Sequence, residues 1–450
     1  MAKYINYLRK DPFSPFSQLN IEPSFYKKVM GPIINGLYKP LNHQKTEHFS
    51  QEYALTIFLD ALMGYSQNSG PQILERKLYS ILQEDAALFV KNTRILPHPS
   101  QINKYVNKFS MEDADNALSS ASEEVLTFLL ARGIIPKRIK IAFDFKKELY
   151  YGDKDDPFVI GIKAENGTNA AYFWHECAII VKGIEIAMRS QMVDSRTNKV
   201  AFVEKTVDFL EALGFLIEFV AVDKEYYNKD VMSYLNSKGI AFAVPVRESK
   251  KLKAVKEEAL KDPKKRVQDY EIKGKHVKGK GFDACKFKIG VYAKKKLRFS
   301  ALRARYQKDP AAVAEILSNI FALASNQAIR APTLKRKYKF YNLRNNFRDR
   351  WRCETTNREE NPFLIPSCSR IPEERNLYFV VSLLVYNSWV IANLFLHQKK
   401  PWLPKEPKAF FIVYTQDFLF VIFQFYLGYD PPQSEFCRTE EINRMRCIIM

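Results

Sequence analysis

Three acidic residues are candidate ligands for a metal ion: Asp144, Asp223 and Glu354. Asp144 lies near the end of a predicted strand, "RIKIAFDFKKEL", and Asp223 follows the apolar run "FLIEFVAV". Functional groups gather at the carboxyl ends of strands in open α/β sheets, and we expect these two strands to lie side by side. Two aspartates meeting there repel each other unless a hard divalent cation such as Mg²⁺ lies between them. The alternative is that Asp223 caps the following helix.

Glu354 belongs to a predicted helix that is basic and aromatic. Phe347, Arg350, Glu354 and Arg358 are spaced by three, four and four residues, which places all four on one helical face. Local pairing of Glu354 with its arginines on a solvated face is one interpretation, and such pairs contribute only about 0.2–0.5 kcal/mol each. Joined to Asp144 and Asp223, the helix instead predicts a metal site with guanidinium groups ready for a phosphate.

Other acidic residues near Asp144 are weaker candidates for the first metal ligand. Asp153, Asp155 and Asp156 fall in a polar turn, and Glu148 follows the first strand. Asp144 is favoured over them because of its position in the strand and the motif around it.

The composition indicates a globular protein with a polyanionic partner. The 450 residues are 46% hydrophobic and 14% aromatic, which excludes a disordered chain. The formal net charge of +20 favours nucleic acid first and an acidic membrane surface second. The six cysteines include no CxxC pair, so we expect free thiols in a reducing compartment and no zinc site.

Two apolar stretches, Leu377 to Leu396 and Ala409 to Tyr429, approach the length of a membrane span. Each carries polar residues, and charged segments flank the first. We interpret both as buried core helices, with membrane contact as the alternative.

The order of predicted elements indicates a mixed α/β sheet. From Arg138 the patterns read strand, strand, strand, helix, strand, helix, strand, with Gly214 ending the first helix. The preceding residues are predominantly helical. They contain a candidate helix-turn-helix with Ser100 to Lys108 as the groove-reading helix, or an ordinary bundle.

The predicted division of the chain has five parts. They are a helical N-terminal DNA-binding region (1–137), the first part of a catalytic domain (138–246), a basic β-rich insertion (247–331), the second part of the catalytic domain (332–397) and an apolar C-terminal region (398–450). The insertion reads as a phosphate-contacting surface or as a solvated lysine face.

Three stretches carry a resemblance to a known family. They are "IAFDFKKELYYG", "VAVDKEYYNKDVMSYLNSKGIAFAVPV" and "FRDRWRCETTNR". They are similar to the first-aspartate strand, the second-aspartate block and the glutamate helix of the DDE transposases of cut-and-paste insertion sequences. The resemblance covers about 138–396, and the 131-residue separation of Asp223 and Glu354 leaves room for the β-rich insertion typical of the insertion-sequence-four group.

The resemblance implies a ribonuclease H-like mixed sheet flanked by helices, with a β-rich insertion between Asp223 and Glu354. It implies that Asp144, Asp223 and Glu354 are catalytic and bind two Mg²⁺ ions, for which Mn²⁺ substitutes. It also implies DNA contacts, for which the candidates are Lys224, Phe347, Arg350, Trp351 and Arg358. Two positions depart from the family signature, since Phe347 stands where tyrosine is expected and Asn361 where lysine is expected.

The implied activity is metal-dependent strand cleavage and strand transfer at terminal inverted repeats. The implied partners are double-stranded DNA, as repeat ends and as target, and a second copy of the chain, with no membrane. The expected location is the nucleoid of a prokaryotic cytoplasm. The alternatives are a catalytically silent, transposase-derived DNA-binding protein, another ribonuclease H-like nuclease, and a membrane-associated basic protein.

Overall fold

The computed structural model describes residues 99–181, 184–194, 197–273, 284–294, 297–332, 338–348 and 369–399. By its internal contacts the chain divides into two units, one of Met1–Ile134 with Glu359–Met450 and the other of Ile135–Arg358. The domain bounds predicted from the sequence stay predictions.

In the first unit, helices α1 (Pro99–Val106) and α2 (Met111–Ala131) are joined by a short turn, and helix α8 (Pro372–Lys399) comes from the far end of the chain. Ser110 starts α2 with a reciprocal capping box, in which its hydroxyl accepts from the backbone amide of Asp113. Lys104 and Lys108 are exposed around α1, whereas Tyr105 is buried. These features are compatible both with a helix-turn-helix and with an ordinary helical bundle, so DNA-groove binding by α1 stays a prediction.

Helix α8 contains the first apolar stretch, and it packs against α2. Leu377, Val381 and Leu384 are fully buried, as predicted for a core helix. Asn376 ties the two helices together, because its Nδ2 donates to Asp115 Oδ1 at 3.1 Å. The second stretch, Ala409 to Tyr429, lies outside the described residues.

Across the ranges that the structure describes, none of the helices combines the length and hydropathy needed to cross a membrane.

The second unit is built on a mixed sheet. Its strands are β1 (Arg138–Tyr150), β2 (Ile160–Glu165), β3 (Thr168–Val181), β4 (Ile184–Met192), β5 (Leu216–Val222), β6 (Ala241–Pro245), β7 (Val267–Lys273), β8 (Ala284–Ala293) and β9 (Ile320–Ser325). Its helices are α3 (Lys199–Ala212), α4 (Lys229–Ser237), α5 (Lys250–Lys261), α6 (Phe299–Lys308) and α7 (Val313–Ser318), followed by the helical segment 338–348.

The described strands follow the order β2-β3-β1-β5-β6-β9-β8-β7, with β4 also paired to β3. Strand β3 is antiparallel to both β1 and β4, whereas β5 pairs parallel to β1 and β6 pairs parallel to β5. Three successive antiparallel strands, with two parallel strands added beside the first, are the arrangement of a ribonuclease H-like sheet. The predicted fold class is therefore confirmed.

The sequence predicted the order of these elements with one omission, since β2 was not expected. Helix α3 behaves as its pattern indicates, because it buries Val203, Val207 and Leu210 against the sheet side and ends at Gly214. Gly214 has φ +83°, a conformation that other residues adopt only with strain.

The predicted insertion, 247–331, does not form a separate sheet. It places β9, β8 and β7 beside β6 and so extends the same sheet, and it also supplies α5, α6 and α7. The pairing is antiparallel throughout this extension. Residues far apart in sequence therefore share one continuous sheet.

Candidate active site

Asp144 and Asp223 follow matched positions on two neighbouring parallel strands. The register pairs Phe143 of β1 with Val222 of β5, so the two aspartates come next on each strand. The backbone amide of Asp223 donates to the carbonyl oxygen of Phe143 at 3.0 Å, which extends the pairing by one more bond. Neighbouring strands lie about 4.8 Å apart, so the two carboxylates share one small region of the sheet.

The position of Asp144 within its strand differs from the prediction. Strand β1 does not end near Asp144 but continues to Tyr150. The reason is that β3 pairs with β1 along its whole length to Tyr150, whereas β5 pairs with it only as far as Phe143. Asp144 therefore lies where the parallel pairing of β1 with β5 ends and only its antiparallel pairing with β3 continues.

The side chain of Asp223 does not cap a helix. A short 3₁₀ turn, Lys224–Tyr226, follows it, and Asp223 makes no side-chain capping bond to that turn. Helix α4 is capped instead by Asn228, whose Oδ1 accepts from the amide of Asp230 at 2.7 Å. The capping role that the sequence offered as an alternative for Asp223 therefore belongs to Asn228.

A third carboxylate faces Asp144 from the other neighbouring strand. Glu176 of β3 is the direct cross-strand partner of Asp144 in the antiparallel register, so both side chains lie on the same face of the sheet. Glu176 is buried, with 6% of its surface exposed. Acidic side chains therefore come from three adjacent strands, β3, β1 and β5.

These residues fit a hard divalent cation only in part. Carboxylate oxygens are the ligands that Mg²⁺ prefers, and Asp144 and Asp223 supply them from neighbouring strands. Within the described ranges, no three His, Cys, Asp or Glu side chains come close enough together to hold a metal ion. A complete site built on this aspartate pair thus needs a further ligand.

The helical segment 338–348 packs on the face of the sheet that holds Asp144. Its residues Phe340, Leu343 and Phe347 join one buried cluster with Ala142 of β1 and Ala221 of β5. Ala142 precedes Asp144 by two residues and therefore lies on the same face.

Two polar contacts show how this segment crosses the sheet. At its start, Tyr292 of β8 stacks on Phe340 and donates a 3.0 Å hydrogen bond to the carbonyl oxygen of that residue. Near its end, Lys140 of β1 donates to Asn346 Oδ1 at 2.9 Å. The segment thus runs from the β8 side of the sheet towards β1, the strand of Asp144.

Of the predicted site residues on this helix, Phe347 alone lies within the described ranges, and Arg350, Trp351, Glu354 and Arg358 lie outside them. Phe347 is buried in the cluster, with 6% of its surface exposed. A contact with a DNA base would require its ring to leave this core, and that contact stays a prediction. Lys224 is exposed in the turn directly after Asp223.

Two basic residues hold the turn that carries Asp223. Arg247 forms an ion pair with Glu225 at 2.8 Å, and its guanidinium also donates to the carbonyl oxygens of Lys224 and Glu225. Lys199, at the start of α3, donates from Nζ to the Glu225 carbonyl oxygen at 3.0 Å. Burial lowers the pKa of Lys199, and the negative charges of Glu225 and Asp223 oppose this shift.

A buried polar pair lies beneath the same turn. Tyr226 Oη lies 2.7 Å from His175 Nδ1 and donates a longer bond of 3.5 Å to the carbonyl oxygen of Asp144. Burial lowers the pKa of His175 to about 3, with a further contribution from the charge of Lys199, so the imidazole is neutral. Burial, together with nearby acidic groups that include both aspartates, raises the pKa of Tyr226 well above its usual value.

Two of the weaker acidic candidates, Asp153 and Asp156, serve the connection between β1 and β2. Asp156 accepts from the amide of Phe158 at 2.8 Å and from Tyr172 Oη at 3.0 Å, and Asp153 accepts from the amide of Asp155 at 3.4 Å. These bonds give the carboxylates of Asp153 and Asp156 local structural partners.

Sequence reasoning missed the supporting residues His175, Lys199 and Arg247. A histidine within an apolar strand, a lysine at a helix start and an arginine after a strand carry no recognisable motif. Tyr226 lay inside the quoted aromatic pair after Asp223, which was a usable signal. Its burial, in contrast to the partly exposed Tyr227, distinguishes the two residues.

Fold and site together define a ribonuclease H-like α/β domain with paired aspartates at the junction of its parallel and antiparallel parts. No protein-family model matches the sequence, and no curated protein matches it. Among solved structures, the chain is similar to a cryo-EM structure of piggyBac transposase synaptic complex with hairpin DNA. The identity is 13%, the match covers 91% of this chain and 82% of that chain, and the TM-score is 0.45.

Proposed function

We propose that this chain is a DDE-type DNA transposase of the insertion-sequence-four type. The observation that carries the proposal is the pairing of Asp144 and Asp223 on adjacent parallel strands, on the face covered by the helical segment 338–348. The motif resemblance assigns a role to each member of this arrangement.

Asp144, Asp223 and Glu354 are proposed to hold two Mg²⁺ ions, with Mn²⁺ as a substitute. When bound, such ions supply charge stabilisation for an in-line displacement at phosphorus. Phe347 packs in the cluster on the sheet, and the helix predicted from the sequence would place Glu354 on the same helical face, seven residues or about two turns further on. That spacing, together with the direction of the segment towards β1, supports Glu354 as the third ligand.

The remaining proposed roles belong to basic and aromatic side chains. Lys224, Arg350 and Arg358 would contact the DNA backbone near the cut, because cations position phosphates without reading sequence. Trp351 or Phe347 would stack on an unpaired base at the end of the element. Lys224 is exposed beside Asp223, which supports its role.

The proposed substrates are the terminal inverted repeats of a mobile element and a target duplex, bound by a homodimer in the nucleoid of a prokaryote. The net charge of +20 supports DNA as the partner. Catalysis of this kind depends mainly on positioning and charge stabilisation, so the fixed geometry around the aspartates matters more than any single basic residue.

The experiment that tests the proposal is a cleavage and strand-transfer assay on DNA carrying the inverted repeats that flank the coding sequence. Wild type is compared with Glu354→Gln and with Asp155→Asn, an exposed acidic residue of the β1–β2 turn, as a matched control. Metal-dependent cutting and joining at the repeat ends, lost in Glu354→Gln and kept in Asp155→Asn, is the expected result.

The other outcomes separate the alternatives. Repeat binding without cutting by the wild type would point to a catalytically silent DNA-binding protein. Cutting without dependence on repeat ends, and without joining, would point to another ribonuclease H-like nuclease. Full activity of Glu354→Gln would remove Glu354 from the site.

A further inference from the structure

We propose that Tyr226 and His175 are positioning residues that lock the turn after β5 and so keep Asp223 beside Asp144. This inference rests on the proposed function, because the geometry that the pair protects is that of the two carboxylates. Neither residue is proposed to touch DNA or the reacting atoms.

Tyr226 is bonded to the main chain of both aspartates. Its amide donates to the Asp223 carbonyl oxygen at 2.9 Å, which closes the 3₁₀ turn. Its hydroxyl donates to the Asp144 carbonyl oxygen at 3.5 Å. One side chain therefore links the turn after β5 to the strand that carries the other carboxylate.

His175 completes the link from the far side of β1. It lies on β3 opposite Phe145, and its Nδ1 is 2.7 Å from the Tyr226 hydroxyl. In the tautomer that carries the proton on Nδ1, His175 donates to the Tyr226 hydroxyl, and the tyrosine proton is then directed to the Asp144 carbonyl oxygen. The chain of bonds then runs from β3 through the turn to β1.

Both rings are fully buried, so this pair has no room to rearrange. The His175 ring stacks on Phe202 of α3 at 5.2 Å and meets the edge of Phe145 at 4.4 Å. Tyr226 packs against Phe143 at 5.7 Å and Phe145 at 5.4 Å. Aromatic rings surround Tyr226, so removing its hydroxyl would leave His175 Nδ1 and the Asp144 carbonyl oxygen without this hydrogen-bond partner.

The position of Asp223 would affect metal binding because Mg²⁺ demands nearly ideal octahedral geometry. A small displacement of Asp223 would weaken the binding of a cation without unfolding the domain. An ordinary core tyrosine would behave differently, since removing its hydroxyl would change stability and leave the turn unaltered.

The test compares wild type, Tyr226→Phe and Asp223→Asn, with Tyr172→Phe as the matched control. Tyr172 is also fully buried, but its hydroxyl bonds to Asp156 in the β1–β2 turn. Mn²⁺ binding is measured by titration calorimetry, and exchange of the Asp223 and Tyr226 amides is measured by hydrogen–deuterium exchange.

We expect Tyr226→Phe to bind Mn²⁺ at least about 5-fold more weakly and to exchange these amides at least about 10-fold faster, whereas Tyr172→Phe should change either quantity by about twofold at most. Unchanged amide exchange in Tyr226→Phe would overturn the inference, whatever the metal data show. Equal Mn²⁺ binding by wild type and Asp223→Asn would instead contradict the proposed metal site, and the exchange data would still decide the role of Tyr226.

A double-mutant cycle tests whether the two residues act together. His175→Phe keeps the ring that stacks on Phe202, and combined with Tyr226→Phe it removes both polar partners at once. We expect each single variant to accelerate amide exchange and the double variant to be no faster than the faster single. If the acceleration of amide exchange in the double variant equalled the product of the two single accelerations, the residues would act independently and the proposed pairing would be overturned.

Discussion

The backbone amide of Asp223 donates a 3.0 Å hydrogen bond to the carbonyl oxygen of Phe143, the residue immediately before Asp144. This bond extends the pairing of β5 with β1 beyond Val222 and ties the main chain of Asp223 to the strand that carries Asp144. Side chains then secure the turn that follows, with Tyr226 below it and Arg247 beside it. Main-chain and side-chain contacts therefore act together on the position of Asp223.

Asp144→Asn and Asp223→Asn should each reduce cleavage by at least about 100-fold, since each removes a ligand from the proposed metal site, where a bound ion would stabilise charge by several kcal/mol. Neither change should lower the thermal midpoint, because removing one of two adjacent negative charges relieves repulsion. Cleavage kinetics and thermal unfolding of the same preparations check both parts.

Asp155→Asn is the control for these two variants, since it changes an exposed carboxylate in a turn. A comparable loss of activity in this control would show that the effect is one of general charge. Activity of either site variant near that of wild type would remove that aspartate from the site.

Phe347→Ala should lower the free energy of unfolding by about 3–5 kcal/mol, because it removes a large ring from the cluster that joins the helical segment to β1 and β5. Denaturant unfolding measures this change. If the residue acted chiefly as a DNA contact, stability would hardly change and DNA affinity would fall. Tyr338→Ala, at an exposed aromatic of the same segment, is the matched control and should cost little stability.

His175 should make the fold sensitive to mild acid. The pKa is about 3 in the folded state and about 6.5 in the unfolded chain, so the unfolded state binds a proton first as the pH falls. The contribution to stability is intact above pH 6.5 and is lost at about 1.4 kcal/mol per pH unit as the pH falls from 6.5 towards 3.

The measurement is the free energy of unfolding between pH 7.5 and about 5, for wild type and for His175→Phe. The variant lacks the titrating group, so its stability should decline less steeply over this interval than that of the wild type. Parallel pH profiles for the two proteins would contradict the prediction.

Lys224→Ala should weaken DNA binding and reduce by about one unit the slope of log affinity against log salt, as expected for the loss of one phosphate contact. Binding titrations at several salt concentrations give both quantities. Lys238→Ala is the control, because that lysine pairs with Asp208 and Glu211 and its charge is already compensated. Equal slopes for Lys224→Ala and wild type would exclude a phosphate contact by Lys224.

The sequence predicted the local features of this fold well. Alternation of apolar residues in β1, the helical spacing in α3 and the stop at Gly214 are short-range patterns, and they reflect which faces become buried. Asp144 and Asp223 were found because polar residues next to apolar strands stand out in a linear sequence. Their pairing was expected from the element order, and the observed strand register bears it out.

Other features depend on contacts between distant residues. No local pattern could indicate that β9, β8 and β7 extend the sheet beside β6, or that β1 continues past Asp144 because β3 pairs with it to Tyr150. His175 carries no motif and acquires its role from Tyr226, 51 residues away along the chain. Most strands and helices around the aspartates, and the candidate carboxylates themselves, could be predicted from the sequence because periodicity and polarity are local. The residues that support the carboxylates could not be predicted, because strand order and packing set burial and hydrogen bonding.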